Sequence, residues 1–595
     1  MILPRLNQVS RLVQQTETFM GYNHNLKIGA GEWYDEENLS AREFPLFAPR
    51  APRGLVMELE EPGGIFAKQL AAWIDDNVLY YGGTAVGVTL TAEPGCIRQF
   101  VSMGAYLLVF PDGVYVNTAD LTDCGSLGAN WTAGESAEVS YTLCRQSGEP
   151  YDMSRVTVAD EAPASPVNGD YWIDTSETLH VLNQWSEQSA MWVQIPTVYV
   201  KISSAGIGAG FSAADGVTLS GCELAEGSDV LKEQVAALNG GQVIQAADDD
   251  SIVVVGLLDE VCSQAGGVTV ARSVPQLDYV CECGNRLWGC HYGVESGTTL
   301  NEVYACALGD FRNWSRYEGI STDSYTASIG TDGPFTGAVN YNGRVIFFKE
   351  DCMHIVSGTQ PSTFQITSTP CRGVQKGCGA SLAIVNEALL YKSREGICLY
   401  DGSLPVNVSD ALGQRRYGSA VAGSHEGRYY VSMTDEETGE RSLFVYDVKR
   451  GTWHREDGFD AAAFASLDGE LYGLERTEKK VFAMTGRDGT AEGDVEWSAT
   501  SGVIGYETPM QKYLSRFVLR IAMPKGSWLR LALRYDSKGD WEDQGAINAS
   551  EHALNSFVFP VIPRRCDHLQ LRLTGKGEVR VFSIARTYEA GGDQT

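Results

Sequence analysis

Positive charge is scarce in this chain: 46 Lys and Arg stand against 76 Asp and Glu, a net charge of −30 over 595 residues. A protein that grips a phosphate backbone needs the opposite sign on at least one face. The balance therefore describes a soluble, self-repelling surface or an acidic wall that nucleic acid passes without sticking. Arg415-Arg416 and Arg564-Arg565 are the local exceptions. Long apolar runs are also missing. No stretch approaches the roughly 18 residues of a membrane span, and Met1-Ile2-Leu3-Pro4-Arg5-Leu6 opens no signal-peptide core. Fourteen cysteines are scattered without a framework, so reduced thiols and synthesis in the cytoplasm are expected.

The signatures of catalysis are absent as well. There is no phosphate-cradling Gly-x-x-x-x-Gly-Lys-Ser/Thr loop, no His-Glu-x-x-His pair and no Gly-x-Ser-x-Gly elbow. Gly206-Ile207-Gly208-Ala209-Gly210-Phe211 imitates a dinucleotide loop but has Phe211 where glycine is required, so it reads as a turn. Cys281-Glu282-Cys283 with Cys290-His291 is the best metal candidate. On a strand, however, side chains one residue apart from a common neighbour need a bend before they converge on zinc, and these read as strand cysteines. Asp447-Val448-Lys449-Arg450-Gly451-Thr452-Trp453 approaches an Asp-box with the wrong spacing and reads as a closing turn between blades. Eight scattered histidines form no nucleophile arrangement. Among so many carboxylates some pair must lie near glycosidase distance, yet nothing selects one. No catalytic, cofactor-binding or metal residue is expected, and no enzymatic activity.

What is present is glycine, 65 residues or about 11% against a usual ~7%, with 27 Tyr and 12 Trp. That composition suits many short strands and tight turns. A unit of polar turn and apolar strand recurs: Asp76-Asn77 before Val78–Tyr81, Gly104 before Tyr106–Phe110, Gly284-Asn285 before Arg286–Gly289. The series continues with Asn342-Gly343, Asn386-Glu387, Glu426-Gly427 and Asp468-Gly469, each before an apolar run. Asn-Gly and Asp-Gly tolerate positive φ and signal hairpins. A β unit repeating every 40–50 residues or so is the mark of a propeller. The expected fold is all-β: a six- or seven-bladed β-propeller with an inserted small β-rich domain and a C-terminal antiparallel β-sandwich.

The expected boundaries are an N-terminal arm over 1–60, irregular and without long helix because of its Gly, Asn and Pro content but ordered, since Phe19, Trp33, Tyr34, Leu39, Phe44 and Phe47 need something to pack on in this chain or a neighbour, first blades over 61–128, an insertion over 129–275, remaining blades over 276–490, and the sandwich over 491–595. The insertion begins with an aromatic meander, Tyr171-Trp172-Ile173 to Trp192-Val193, which packs as core or interface, or stacks on sugar. It then carries one helix, capped by Ser228. The sandwich is expected from period-two alternation of Phe517, Leu519, Ile521 and Met523, of Leu529, Leu531, Leu533 and Tyr535, and of Leu569, Leu571 and Leu573.

Several short motifs carry a resemblance. They are Phe19-x-Gly21-x-Asn23, Asp35-Glu36-Glu37-Asn38-Leu39-Ser40, Pro49-Arg50-x-Pro52-Arg53-Gly54, the strand 343–350, Tyr400-Asp401-Gly402-Ser403 and Pro563-Arg564-Arg565-Cys566-Asp567-His568-Leu569. Together they resemble the tail nozzle proteins of short-tailed bacteriophages, the tail tubular protein B and stabilisation-protein group. The resemblance implies a virion structural protein that forms a homo-oligomer, a hexameric ring favoured. Such a ring guides phage DNA out, contacts adaptor, portal-proximal ring or fibre proteins, and is made in the host bacterial cytoplasm without a membrane span. The alternative is a tail-tip or baseplate protein binding a host surface glycan.

Overall fold

The computed structural model describes residues 11–295, 297–505, 510–548 and 552–590. It is a β-propeller joined to a β-sandwich, with a three-sheet insertion. Among the described residues, seven antiparallel sheets of one kind follow one another over 62–85, 99–126, 279–328, 337–370, 383–407, 417–455 and 461–483. In most of them the first strand touches the first strand of a neighbouring sheet, so the first strands surround the axis.

The turn residues explain the repetition. Gly104, Asn285, Asn342, Asn386, Glu426 and Asp468 all have φ between 46° and 58°, and each lies between the first and second strands of its sheet. That is the left-handed conformation a two-residue hairpin demands. In the first sheet the corresponding Asp76-Asn77 turn joins the second and third strands.

Packing closes the circle. Leu79 and Ile74 pack with Leu107 and Val116, Leu108 with Leu287 and Tyr304, and Trp288 with Val345 and Phe347. Phe348, Leu389, Tyr391, Tyr429 and Phe444 share one core across three sheets. Val445 packs with Leu471, and Leu474 and Val481 meet Ile65 of the first sheet. Each sheet thus buries both faces against its neighbours, which is why the strands read as near-continuous apolar runs rather than clean alternation.

The arm departs from expectation: it is strand-bearing rather than irregular. Gly54–Glu58 pairs with Lys480–Ala483 and completes the last sheet. Arg11–Thr16 pairs with Arg580–Ala590 in one sandwich sheet. Glu32–Glu37 pairs with Glu496–Ser501 in the other. The Gly and Pro residues sit between these strands, and the pairing partners lie at the far end of the chain, where local pattern does not reach. The sandwich alternation is as expected, with Phe517, Leu519, Ile521, Leu529, Leu531, Leu533 and Leu573 fully buried between the two sheets.

Buried charge locks the arm in place. The Arg53 guanidinium meets Asp457 at 2.8 Å and Glu456 at 2.8 Å and lies over the Phe459 ring. Arg50 pairs with Glu492, whose carboxylate also accepts from the Arg53 N–H at 2.7 Å. His454 bonds Glu36 at 3.1 Å, a carboxyl that burial pushes upward against the histidine's pull.

The insertion holds three sheets and the helix Asp229–Ala236, whose first turn is capped by Ser228 Oγ accepting from Leu231 N. No helix among the described residues is long and apolar enough to cross a membrane.

Removing one member of a buried charge cluster strands the others, at a cost of about 3–5 kcal/mol. Arg53→Ala is therefore expected to lower unfolding free energy by about that amount in urea titration. Burial alone would raise the Asp457 carboxyl, but Arg53 and Arg50 hold it below its ordinary 3.8. A carboxyl lowered in the folded state stabilises fully above its unfolded value, and that contribution fades as pH falls through the lowered one. The wild-type denaturation midpoint should accordingly fall below about pH 4, and less so in Arg53→Ala. At Gly54 a Cβ would overlap the Asp488 carbonyl oxygen. Gly54→Val is expected to open the seam between the last and first sheets, read as new proteolytic cleavage near residues 54–62 under native conditions.

Candidate functional site

The propeller axis offers little chemistry. Its innermost strands are poor in charge: Gly63 and Gly64, Ala338, Ala383, Ala420 and Ala461–Ala463 are among their residues, and none carries a lysine, an arginine or an aspartate. Glu282 is the one carboxylate on these first strands as described, and its Oε1 accepts from Asn285 N at 2.9 Å within the hairpin turn. A pair of carboxylates facing each other across the axis is not supplied by these strands.

The other motifs resolve individually. Cys281 and Cys290 are buried strand residues whose thiols burial pushes well up, toward the protonated form that binds metal poorly. His291 is occupied by Asp278 at 3.1 Å. Among the described residues no three His, Cys, Asp or Glu side chains converge as metal ligands. Residues 206–211 form turns. The Asp447–Trp453 turn corrects an expectation. It joins Arg441–Asp447 to Thr452–Arg455 inside one sheet, not one blade to the next. Asp447 caps it by accepting from Arg450 N at 3.0 Å. The two arginine pairs form no shared patch: Arg564 pairs with Glu542 and Arg415 with Asp435.

The inserted meander offers a built surface. Its sheet runs Val156–Ala159, Tyr171–Asp174, Val181–Ser186 and Met191–Gln194. The strands alternate, so each has two faces. Tyr171, Ile173 and Leu182 face inward, onto Leu143, Tyr151 and Leu257 of the neighbouring insertion sheet. Register fixes the opposite face. Trp185 stands directly across from Trp192, and Asn183 stands between Trp172 and Gln194.

All three indoles are half-buried. Trp192 lies 5.5 Å from Trp185 and 5.8 Å from Trp172, both edge-to-face. The Trp172 N–H is spent on the Ala159 carbonyl at 2.9 Å, whereas those of Trp185 and Trp192 meet no acceptor among the described residues. Polar groups border the indoles: the Asn183 and Gln194 amides and the Thr157 hydroxyl lie on the same face. The surroundings are acidic. Residues 156–194 contain Asp160, Glu161, Asp170, Asp174, Glu177 and Glu187, with no lysine or arginine.

Sequence reading identifies Trp172 and Trp192 but misses Trp185. Its signal is the period-two spacing from Asn183, interrupted by the exposed Gln184. The arrangement presents flat apolar rings rimmed by amides, which suits a ligand with one C–H face and hydroxyl edges.

No family model matches the chain, and no curated protein is similar to it in sequence. Solved structures give a distant likeness. An exo-β-1,3-galactanase from Phanerochaete chrysosporium, solved with galactose, is 9% identical over 52% of this chain and 94% of its own, with a TM-score of 0.21. An arabinoxylan arabinofuranohydrolase of glycoside hydrolase family 43 from Bacillus subtilis, solved with cellotetraose, is 10% identical over 51% and 94%, with a TM-score of 0.19. These neighbours are carbohydrate-active enzymes, not tail components. On that finding the expectation of a non-enzymatic phage tail-nozzle protein, with its tail-tip alternative, is corrected.

Proposed function

We propose that this chain is a carbohydrate-binding protein in which the seven sheets close as seven blades and the inserted meander carries the sugar-contacting face. The observation that supports the reading is the row formed by Trp172, Trp192 and Trp185 on one side of a small sheet, rimmed by Asn183, Gln194 and Thr157. An indole offers a rigid plane against the C–H face of a pyranose at little entropic cost, and a side-chain amide reads hydroxyls as donor and acceptor at once. A meander of this size needs only one apolar face for its own stability, and Tyr171, Ile173 and Leu182 already supply it. The second aromatic face is surplus to folding.

Charge narrows the ligand. Six carboxylates against the single cation Arg155, itself paired with Asp170, disfavour uronic or sulfated sugars and favour neutral or amino sugars.

Affinity electrophoresis of the full chain through gels containing arabinoxylan, β-1,3-galactan, glycol chitin or polygalacturonate tests this. Retardation is expected in at least one of the first three and none in polygalacturonate. Each stacked ring contributes about 0.5–1.5 kcal/mol beyond its buried area, so Trp185→Ala and Trp192→Ala should each weaken retention roughly 2- to 10-fold, with circular dichroism unchanged. Equal retention of the double variant, or retention by polygalacturonate alone, would overturn the reading.

A further inference from the structure

The sandwich contains a second feature, independent of the tryptophan face. Among the described residues six arginines are buried, and five of them meet carboxylates or backbone carbonyls. Arg50 and Arg53 meet Glu492, Glu456 and Asp457. Arg98 pairs with Asp112 at 3.3 Å and Arg272 with Asp215. Arg286 donates to the carbonyls of Cys306, Ser321 and Asp323 at 2.6–2.8 Å. Arg586 is the exception. It is 8% exposed, its one hydrogen bond among the described residues is from Nη2 to Thr16 Oγ1 at 3.4 Å, its Nε like that of Arg53 has no acceptor there, and no described carboxylate lies within ion-pair distance.

Register explains its position. Arg586 stands opposite Gln14 on one side and the core residue Phe517 on the other, so it points between the two sandwich sheets. Ile584 and Tyr588 flank it on the same face. Here the sheets part around a cleft of about 350 Å³, bounded by the edge strand Arg11–Thr16, the segment 27–33 and the segment 501–505. A buried guanidinium without an anion is costly, and this one opens onto a space in the size range of small-ligand sites.

The rest of the lining agrees in sign and polarity. Among the described lining residues Lys27 and Lys512 are two further cations, the latter donating to the Met510 and Asp567 carbonyls, and Glu32, whose Oε2 accepts from Gly29 N, is the carboxylate. That is a local excess of positive charge in a chain of net −30. Ile28, Ile504, Leu571 and Ile584 supply apolar walls. We infer that this cleft binds a small organic carboxylate with an apolar body, its head held by the Arg586 guanidinium and its body against the isoleucine and leucine side chains. The Nε–H and adjacent Nη–H of a guanidinium match the two oxygens of a carboxylate, which a lysine ammonium does not.

Isothermal titration of the full chain with sodium octanoate tests this, with 1-octanol as the uncharged arm and inorganic phosphate as the arm without an apolar body. Octanoate is expected to bind, the other two at least 10-fold more weakly. Arg586→Met should weaken octanoate at least 10-fold and Arg586→Lys by an intermediate factor, while Trp192→Ala leaves it unchanged. Without ligand, Arg586→Met should melt at or above the wild-type temperature, because an unpaired buried charge is exchanged for an apolar side chain of similar length. The inference fails if wild type does not bind octanoate, if Arg586→Met binds it equally well, or if phosphate binds as tightly. It fails too if Arg586→Met melts several degrees lower without ligand, since the guanidinium would then be satisfied in the empty protein.

Discussion

Everything in the propeller depends on one strand. Sheets arranged around an axis bury both faces only if the last meets the first, and here the last is completed by Gly54–Glu58, drawn from the opposite end of the chain. The Arg53 to Glu456 contact spans 403 residues. Bringing such distant segments together costs loop-closure entropy that grows slowly with length, and the contacts at the seam must offset it. Two guanidiniums, three carboxylates and the Phe459 ring do so beside the paired strands. The same arm then enters both sheets of the sandwich. Tyr22 packs in the core shared by the fourth, fifth and sixth sheets, and Phe19, Trp33 and Phe47 pack in the sandwich core. Propeller and sandwich therefore share a single clasp, and neither is complete without it.

Legibility in the sequence followed the range of the interaction. Turns such as Asn342-Gly343 and Asp468-Gly469 are dictated by two adjacent residues, and the hairpins stand where those residues put them. Alternation along 517–523 and 529–535 is equally local, and it gave the sandwich core side chain by side chain. The arm was misread because Glu32–Glu37 owes its strand conformation to Glu496–Ser501, which no nearby residue announces. Trp185 was overlooked because facing is a matter of register with Trp192, not of spacing along one strand. Nothing in Ile584-Ala585-Arg586 distinguishes a core-facing arginine from a solvent-facing one until the neighbouring strands are in place.

The insertion that carries the tryptophan face is hydrogen-bonded to the propeller through its Gly216–Ser220 and Thr269–Arg272 strands. Asn313, fully buried beside the third propeller sheet, accepts from Gly216 N at 2.8 Å and donates to Ala214 O at 2.7 Å. Arg272 bonds the Leu127 carbonyl at the exit from the second sheet and pairs with Asp215 within the insertion. A side chain at Gly216 would strike the backbone of Ser315 and Arg316, so the two units approach as closely as backbone allows. Such hydrogen-bonded docking reduces the ordering cost that a mobile binding module meets on each encounter.

Electrostatics separates the two proposed sites more sharply than shape does. In the meander, six carboxylates stand against one cation, Arg155, which pairs with Asp170, so the local charge repels anions and leaves stacking and amide contacts to select the ligand. In the sandwich cleft, three cations and one carboxylate among the described lining residues favour an anion that the remaining surface would turn away. In water these fields decay over about 8–10 Å at ordinary ionic strength, so each acts only on what has reached its own neighbourhood. A chain of −30 can therefore keep a neutral ligand and an acidic one on separate surfaces without a barrier between them. The buried guanidinium is the stronger of the two constraints, because removing water from a charge raises the cost of leaving it unpaired.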